Sequence, residues 1–204
     1  LDVSGHGVAA ALLSVSLTRM IDQSSITISS LKGGNVSMKA SEELLDPRKV
    51  IHKLNRRFPG DNSKFCTLLY AILDIEESSV TWIRAGHVPP LWIQDYGANA
   101  SYLQEPGGLF ISNLPYEDNY LQTQKIQLAP GDRFVLFSDG ITEAMKDDEE
   151  YGYEKFEQVM LATASKPLDQ SVQSVLNSLS QWTGSSKFED DVTLLALEKI
   201  SDAH

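Results

Sequence analysis

The sequence has little cysteine and no long hydrophobic run, and each shortage excludes a class of protein. Its 204 residues include 1 cysteine, which rules out an internal disulfide and a zinc site built from several cysteines. No apolar stretch approaches the roughly 20 residues of a membrane-spanning helix, and no signal-peptide pattern is present. We therefore expect a cytoplasmic protein that does not enter a membrane.

Basic residues are also scarce. Lysine and arginine together number 17 against 28 aspartates and glutamates, which gives a formal net charge of −11. A surface of this sign repels polyanions, so nucleic acid and anionic membranes are not expected as partners. The length fits one domain with a sizeable core, and the hydrophobic share of 42% is ordinary for a globular protein.

The order of helix and strand signals predicts an α+β domain. Apolar residues recur at helical spacing after Gly7, and Asp46 followed by Pro47 is typical of the start of a second helix. The polar segment 24–43 predicts a loop. Strands are expected at 65–74, 79–84, 90–94, in "LQTQKIQL", "RFVLFSD" and "DDVTLLALEKI", and helices at 153–164 and after Asp169. This order favours a mainly antiparallel sheet packed by helices.

The single cysteine lies in the apolar run "FCTLLYAIL". A cysteine in such a run is typical of a buried structural thiol, because a reactive thiol needs partial exposure and a neighbouring positive charge. We therefore expect Cys66 to be part of the core rather than a nucleophile.

Acidic residues stand at three places where metal chemistry could occur. Asp2 lies in "LDVSGHG" before the first helix, Asp139 ends "FVLFSDG", and Asp190 and Asp191 precede "VTLLAL". Each motif alone is also compatible with an ordinary turn. Several carboxylates at one sheet edge repel each other unless cations bind them, and oxygen ligands favour Mg²⁺ or Mn²⁺ over zinc. Two such ions about 4 Å apart can activate water for in-line attack on phosphorus.

Four stretches carry a resemblance to a known family. In order, "DVSGHGVAAALLS", "RAGHVPP", "PGDRFVLFSDGITEAM" and "DDVTLLAL" resemble the PPM-type metal-dependent protein phosphatases. The similarity is to the bacterial branch of the sporulation stage II E (SpoIIE-like) and sigma-factor regulatory phosphatases. It implies an αββα sandwich of two mainly antiparallel sheets flanked by helices. It also implies a phosphatase domain over 1–198 and a tail over 199–204.

The same resemblance implies the ligands of a two-metal centre. Asp2 would bridge two Mn²⁺ or Mg²⁺ ions with the backbone carbonyl of Val3 as a further ligand, and Asp139 and Asp190 would bind the second ion. A metal-bound hydroxide would be the nucleophile, so no catalytic side chain is expected. Supporting roles are expected for Gly5, His6, Gly7, Gly140 and Asp191.

In this family another acidic strand precedes the first motif, whereas the sequence here begins at Leu1. We therefore expect the domain to lack its first strands. As a consequence, we expect residues 1–204 to bind metal weakly and to have little phosphatase activity. The resemblance also implies an N-terminal sensor or receiver domain in the parent chain.

The sequence thus predicts a protein serine/threonine phosphatase in bacterial signal transduction. The resemblance implies that its substrate is a phosphorylated regulatory protein, an anti-sigma-factor antagonist. Two alternatives stay open: an inactive pseudophosphatase that serves as a protein-interaction module, and a two-metal phosphoesterase for small molecules. The three aspartates Asp2, Asp139 and Asp190 favour an enzyme, because an interaction module has no need to crowd carboxylates. A homodimer is an open alternative to a monomer.

Overall fold

The computed structural model of the chain describes residues 1–5, 8–22, 27–30, 36–39, 45–59, 64–105, 107–112 and 121–201. In chain order the elements are β1 (Asp2–Val3), α1 (Val8–Asp22), β2 (Thr27–Ser30), β3 (Val36–Lys39), α2 (Pro47–Arg56), β4 (Cys66–Asp74), β5 (Ser79–Ala85), β6 (Leu91–Gln94), a 3-10 turn (Asp95–Gly97), β7 (Asn99–Tyr102), β8 (Gln124–Gln127), β9 (Arg133–Phe137), α3 (Asp139–Thr142), β10 (Met145–Lys146), β11 (Glu149–Glu150), α4 (Gly152–Ala162), α5 (Leu168–Thr183) and β12 (Leu194–Glu198). The strand pairs of known register are antiparallel, which confirms the predicted mixed helix and antiparallel-sheet class. In the described part of the chain, no helix has the length and hydrophobicity needed to span a bilayer.

The chain divides into two compact units, and the first contains residues 1–75, 79–87 and 106–126. Its sheet has the strand order β1-β4-β5-β8. Helix α2 begins as predicted, because the Asp46 carboxylate accepts a hydrogen bond from the Arg48 backbone N–H at 3.1 Å and Pro47 occupies the first turn. Its apolar face packs against β4 and β5, and α1 packs against β1 and α2. The buried core of this unit includes Leu17, Val50, Ile51, Leu54, Cys66, Leu68, Ile83 and Ala85.

The second unit contains residues 76–78, 88–105 and 127–204. Its sheet has the order β12-β9-β6-β7, and helices α4 and α5 belong to the same unit. The two predicted helices thus form with nearly the expected bounds, because each has apolar residues at helical spacing. The buried core includes Leu91, Ile93, Val135, Phe137, Ile141, Tyr151, Phe156, Met160, Val175 and Leu179.

The segment 24–43 differs from its prediction as a loop. The structure has the antiparallel pair β2–β3 there, with Thr27 opposite Lys39 and Ser30 opposite Val36. The prediction was wrong for these two strands. Thr27, Ile28 and Val36 are β-branched residues, which favour strands, and the adjacent glycines between the two strands in the sequence are typical of a hairpin connection. The prediction missed these strands because it rested on the polar composition of the whole segment rather than on these few residues.

Cys66 is fully buried in the core of the first unit, which confirms the prediction of a structural thiol. Burial in apolar surroundings raises the pKa of Cys66 to about 12. The thiol therefore stays protonated at neutral pH, and the thiolate that reacts with electrophiles is not formed.

We expect native Cys66 to react with a disulfide reagent at least about 100-fold more slowly than the unfolded chain at about pH 8, because the folded state suppresses both thiolate formation and access. The release of the chromophore, followed with and without concentrated guanidinium chloride, measures both rates. Equal rates would show that this part of the core opens freely.

Candidate metal centre

Asp139 stands where β9 gives way to α3. The strand was predicted to run through this aspartate, but it ends at Phe137, and Asp139 is the first residue of a one-turn helix. The Gly140 backbone N–H donates to Asp139 Oδ1 at 3.1 Å, and the Glu143 N–H donates to the Asp139 carbonyl at 2.7 Å. This turn positions a half-buried carboxylate at the end of a buried strand.

Ser138 fixes the second acidic segment to the end of β9. Its hydroxyl donates to the Asp191 carbonyl at 2.8 Å and accepts from the Thr193 N–H at 2.9 Å. Its backbone N–H donates to the Thr193 carbonyl at 3.0 Å, which extends the pairing of β9 with β12. Ser138 was not among the predicted site residues. The only signal in the sequence was a small hydroxyl residue directly before Asp-Gly.

Gly140 lies against the backbone of the same acidic segment. A Cβ atom at this position would be 2.6 Å from the Asp191 carbonyl oxygen and 3.5 Å from the Asp190 Cβ. This close approach explains the glycine, because no side chain fits there. It brings the segments that carry Asp139 and Asp190 side by side.

The donors at this place fit the predicted ions. Two carboxylates from neighbouring segments offer oxygen ligands, which Mg²⁺ and Mn²⁺ prefer, and such ions retain waters at the other positions. Asp190 is exposed, so solvent can reach the pair. Asp191 contributes its backbone carbonyl to the Ser138 hydroxyl, in keeping with a supporting position. Within the described residues, no group of three or more histidine, cysteine or carboxylate side chains is gathered closely enough to hold a metal ion.

We expect Gly140→Ala to lower both stability and Mn²⁺ affinity. The added methyl group must displace the Asp190–Asp191 backbone, at a cost of about 1–3 kcal/mol in the free energy of unfolding. Urea unfolding and calorimetric Mn²⁺ titration measure the two effects.

Gly184→Ala is the matched control for this prediction. Gly184 ends α5 with φ +70° and has no atom within 4 Å of its position for a Cβ, so alanine there costs only backbone strain. The control should lose stability but keep its Mn²⁺ affinity. An unchanged Mn²⁺ affinity in Gly140→Ala would contradict the placement of the two ligands.

Asp2 is positioned by strand pairing in the first unit. In the β1–β4 pair, Asp2 lies opposite Thr67 and Val3 lies opposite Cys66. Val3 and Cys66 belong to the core, so Asp2 and Thr67 share the other face of the sheet. The Thr67 hydroxyl is 2.8 Å from His87 Nδ1. Thr67 and His87 were not among the predicted site residues, since only the strand register places them near Asp2.

The turn after β1 explains why a glycine stands at position 5, one of the predicted supporting residues. Gly5 has φ +86°, a left-handed conformation that favours glycine, and the Ser4 backbone N–H donates to the Phe65 carbonyl at 3.0 Å. The Ser4 hydroxyl accepts from the Phe65 N–H at 3.0 Å. The predicted supporting residues His6 and Gly7 lie outside the described residues.

Comparison with solved structures identifies the fold class. The RsbU and RsbW domains of Rv1364c from Mycobacterium tuberculosis match with a TM-score of 0.74 and 22% identity, over 100% of this chain and 52% of that chain. Other solved neighbours include the catalytic domain of the serine/threonine protein phosphatase PstP with two manganese ions, at a TM-score of 0.61, and RsbX with magnesium, at 0.56. The chain therefore has the fold of the PP2C-type phosphatase domains.

Sequence comparison gives the family. The profile described as Stage II sporulation protein E (SpoIIE) matches residues 1–199, and the chain belongs to this family. The phosphoserine phosphatase RsbP of Bacillus subtilis (strain 168) is 30% identical over 149 residues, which cover 69% of this chain and 32% of RsbP. The phosphoserine phosphatase RsbU of the same organism is 26% identical over 203 residues, which cover 97% of this chain and 54% of RsbU. The chain thus spans about a third of the length of RsbP and about half of the length of RsbU.

Proposed function

We propose that this chain is the catalytic domain of a metal-dependent phosphatase that hydrolyses phosphoserine or phosphothreonine on a regulatory protein. The observation that carries the proposal is the close packing of Gly140 against Asp190–Asp191, which brings the segments that carry Asp139 and Asp190 together at the end of a buried strand. Membership in the SpoIIE family and the names of RsbP and RsbU support phosphoserine as the substrate group.

Within this proposal, the chain's own residues bind and orient the metal. Asp139 and Asp190 would hold a cation through their carboxylates, and Asp2 and the Val3 carbonyl would supply further oxygen ligands. The Ser138 hydroxyl donates a hydrogen bond to the Asp191 carbonyl, which fixes the segment that carries Asp190 and Asp191 to the end of β9. Bound Mn²⁺ or Mg²⁺ supplies a water of lowered pKa and charge stabilisation at phosphorus. The two manganese ions in PstP support a pair of metal ions.

The proposed partner is an anti-sigma-factor antagonist in its phosphorylated form, as the family resemblance implies. The proposed setting in the parent chain is behind a sensor or receiver domain. The limited share of RsbP and RsbU that this chain matches leaves room for such a domain.

Phosphate release from a phosphoserine peptide by the longer parent protein, measured with Mn²⁺ and again with excess EDTA, tests the proposal. We expect Mn²⁺-dependent release, and slower release from a nucleotide monophosphate, because the substrate is a protein. Faster turnover of the nucleotide would favour the small-molecule phosphoesterase. Mn²⁺ binding by calorimetry without any turnover would favour the pseudophosphatase.

A further inference from the structure

The Thr67 side chain lies on the face of the first unit's sheet that carries Asp2. Asp2 and Thr67 are direct partners in the β1–β4 pair. The Cβ atoms of directly opposed residues in an antiparallel pair are about 4.5–5.5 Å apart, which is within reach of a side-chain hydrogen bond. The Thr67 hydroxyl is also 2.8 Å from Nδ1 of His87. One hydroxyl group thus contacts an imidazole and neighbours a carboxylate.

The His87 backbone is held in place by the turn that follows β5. Gly86 has φ +67°, and its N–H donates to the Gly108 carbonyl at 2.9 Å. A Cβ atom at Gly86 would be 2.9 Å from the Phe110 Cβ, so no side chain fits in this turn. The Arg84 guanidinium donates from Nη1 to the His87 carbonyl at 2.9 Å. These contacts fix the backbone from which the imidazole extends.

The hydrogen-bonding capacity of the three side chains gives the order of the protons. The ionised carboxylate of Asp2 only accepts hydrogen bonds, whereas the Thr67 hydroxyl has one hydrogen and two lone pairs. If this hydrogen points to Asp2, the hydroxyl oxygen must accept from His87, and Nδ1 carries the proton of the neutral ring. The opposite arrangement would turn only hydroxyl lone pairs toward the carboxylate, and these repel it. The neighbouring negative charge therefore favours the first arrangement.

We propose that the Thr67–His87 pair orients the Asp2 carboxylate for binding Mn²⁺ or Mg²⁺. His87 Nδ1–H donates to Thr67 Oγ1, and the Thr67 hydroxyl donates to Asp2, which restricts rotation of the carboxylate. The inference rests on the proposed function, in which Asp2 is a metal ligand. Thr67 and His87 act through Asp2 and are positioning residues. Hydrogen-bond partners of this kind fix the orientation of metal ligands and contribute to metal affinity.

Calorimetric Mn²⁺ titration of the longer parent protein tests the role of the hydroxyl. Thr67→Val keeps the β-branched shape and loses the hydroxyl, whereas Thr67→Ser keeps the hydroxyl and loses the methyl group. We expect Thr67→Val to weaken Mn²⁺ binding about 10- to 100-fold, and Thr67→Ser to bind nearly as tightly as the wild type. A residue that only fills space would give the opposite order, because serine leaves a gap. That order, or equal affinities, would overturn the proposal.

Variants of His87 test whether the two residues act together. His87→Leu removes the donor and should weaken Mn²⁺ binding, whereas His87→Asn retains an N–H close to the position of Nδ1 and should restore most of the affinity. The double variant Thr67→Val/His87→Leu should bind no more weakly than Thr67→Val, since both changes break one chain of hydrogen bonds. Additive losses would contradict the pair.

Thr81→Val is the matched control for Thr67→Val. Thr81 lies in β5 opposite Ile72, further along the β4–β5 pair and away from Asp2. The control loses a threonine hydroxyl from the same sheet and should keep its Mn²⁺ affinity. An equal loss of affinity in Thr81→Val would show that the effect of Thr67→Val does not depend on the contact with Asp2, which would overturn the proposal.

Phosphate release from a phosphoserine peptide separates this inference from the proposed function. We expect Thr67→Val to need more Mn²⁺ for half-maximal release, by the same factor as its loss of affinity. Weaker Mn²⁺ binding in Thr67→Val, with no release even by the wild type, would support the inference and contradict the phosphatase. Mn²⁺-dependent release with equal Mn²⁺ affinity in both proteins would support the phosphatase and overturn the inference. A wild type that binds no Mn²⁺ would overturn both.

Discussion

In the longer parent protein, Asp139→Asn is expected to remove Mn²⁺-dependent phosphoserine hydrolysis almost completely. Asparagine keeps the shape of the side chain and its hydrogen bond from the Gly140 N–H, but it lacks the negative charge that binds the cation. Loss of residues that only orient metal ligands costs about 10- to 100-fold in affinity or activity, so loss of a ligand should cost more than about 100-fold in turnover. Phosphate release at saturating Mn²⁺, together with calorimetric Mn²⁺ titration, measures the change.

Asp148→Asn is the matched control for Asp139→Asn. Asp148 is an exposed aspartate in the turn between β10 and β11, so its loss changes the net charge equally without touching the site. Circular dichroism should show folded protein for both variants. Full activity in a folded Asp139→Asn variant would refute the assignment of this residue as a metal ligand.

Arg133→Leu is expected to destabilise the fold by about 3–5 kcal/mol, which is the usual cost of breaking a buried ion pair from one side. Arg133 is 1% exposed, and its guanidinium donates to Glu198 Oε2 at 2.8 Å and to the Ser171 hydroxyl at 2.9 Å. It also donates to the carbonyls of Thr163 and Lys166, at 3.2 and 2.5 Å. One side chain thus ties β9 to β12, to the end of α4 and to the start of α5.

Urea unfolding measures the loss, and an exposed ion pair supplies the comparison. Arg48 also contacts an acidic residue, with its Nε 3.3 Å from Asp46 Oδ1, but its side chain is 57% exposed. Arg48→Leu should therefore cost less than about 1 kcal/mol. If the two variants had equal stability, the buried network would contribute nothing beyond an ordinary surface pair.

Local patterns in the sequence predicted most of the secondary structure. Helix α2 is an example, because the cap residue Asp46, Pro47 and the apolar spacing all act within a few residues of one another. The hairpin β4–β5 follows in the same way from two runs of β-branched and aromatic residues around the short turn "DIEESS". The family motifs also selected Asp2, Asp139 and Asp190 as candidate ligands, since these residues stand in short, characteristic stretches.

The sequence alone therefore determined the class of fold, the approximate bounds of the longer helices and strands, and the acidic residues worth testing. The tertiary structure decided which residues from distant parts of the chain contact one another. Ser138 joins Asp191 across 53 residues, Arg133 joins Glu198 across 65, and Thr67 comes opposite Asp2 through the pairing of β1 with β4. Such contacts depend on strand register, and shifting a strand by one residue would turn each side chain to the other face. Register is set by the packing of the whole sheet on its core, so no local pattern could have revealed the contact of Ser138 with Asp191 or the buried hydrogen bonds of Arg133.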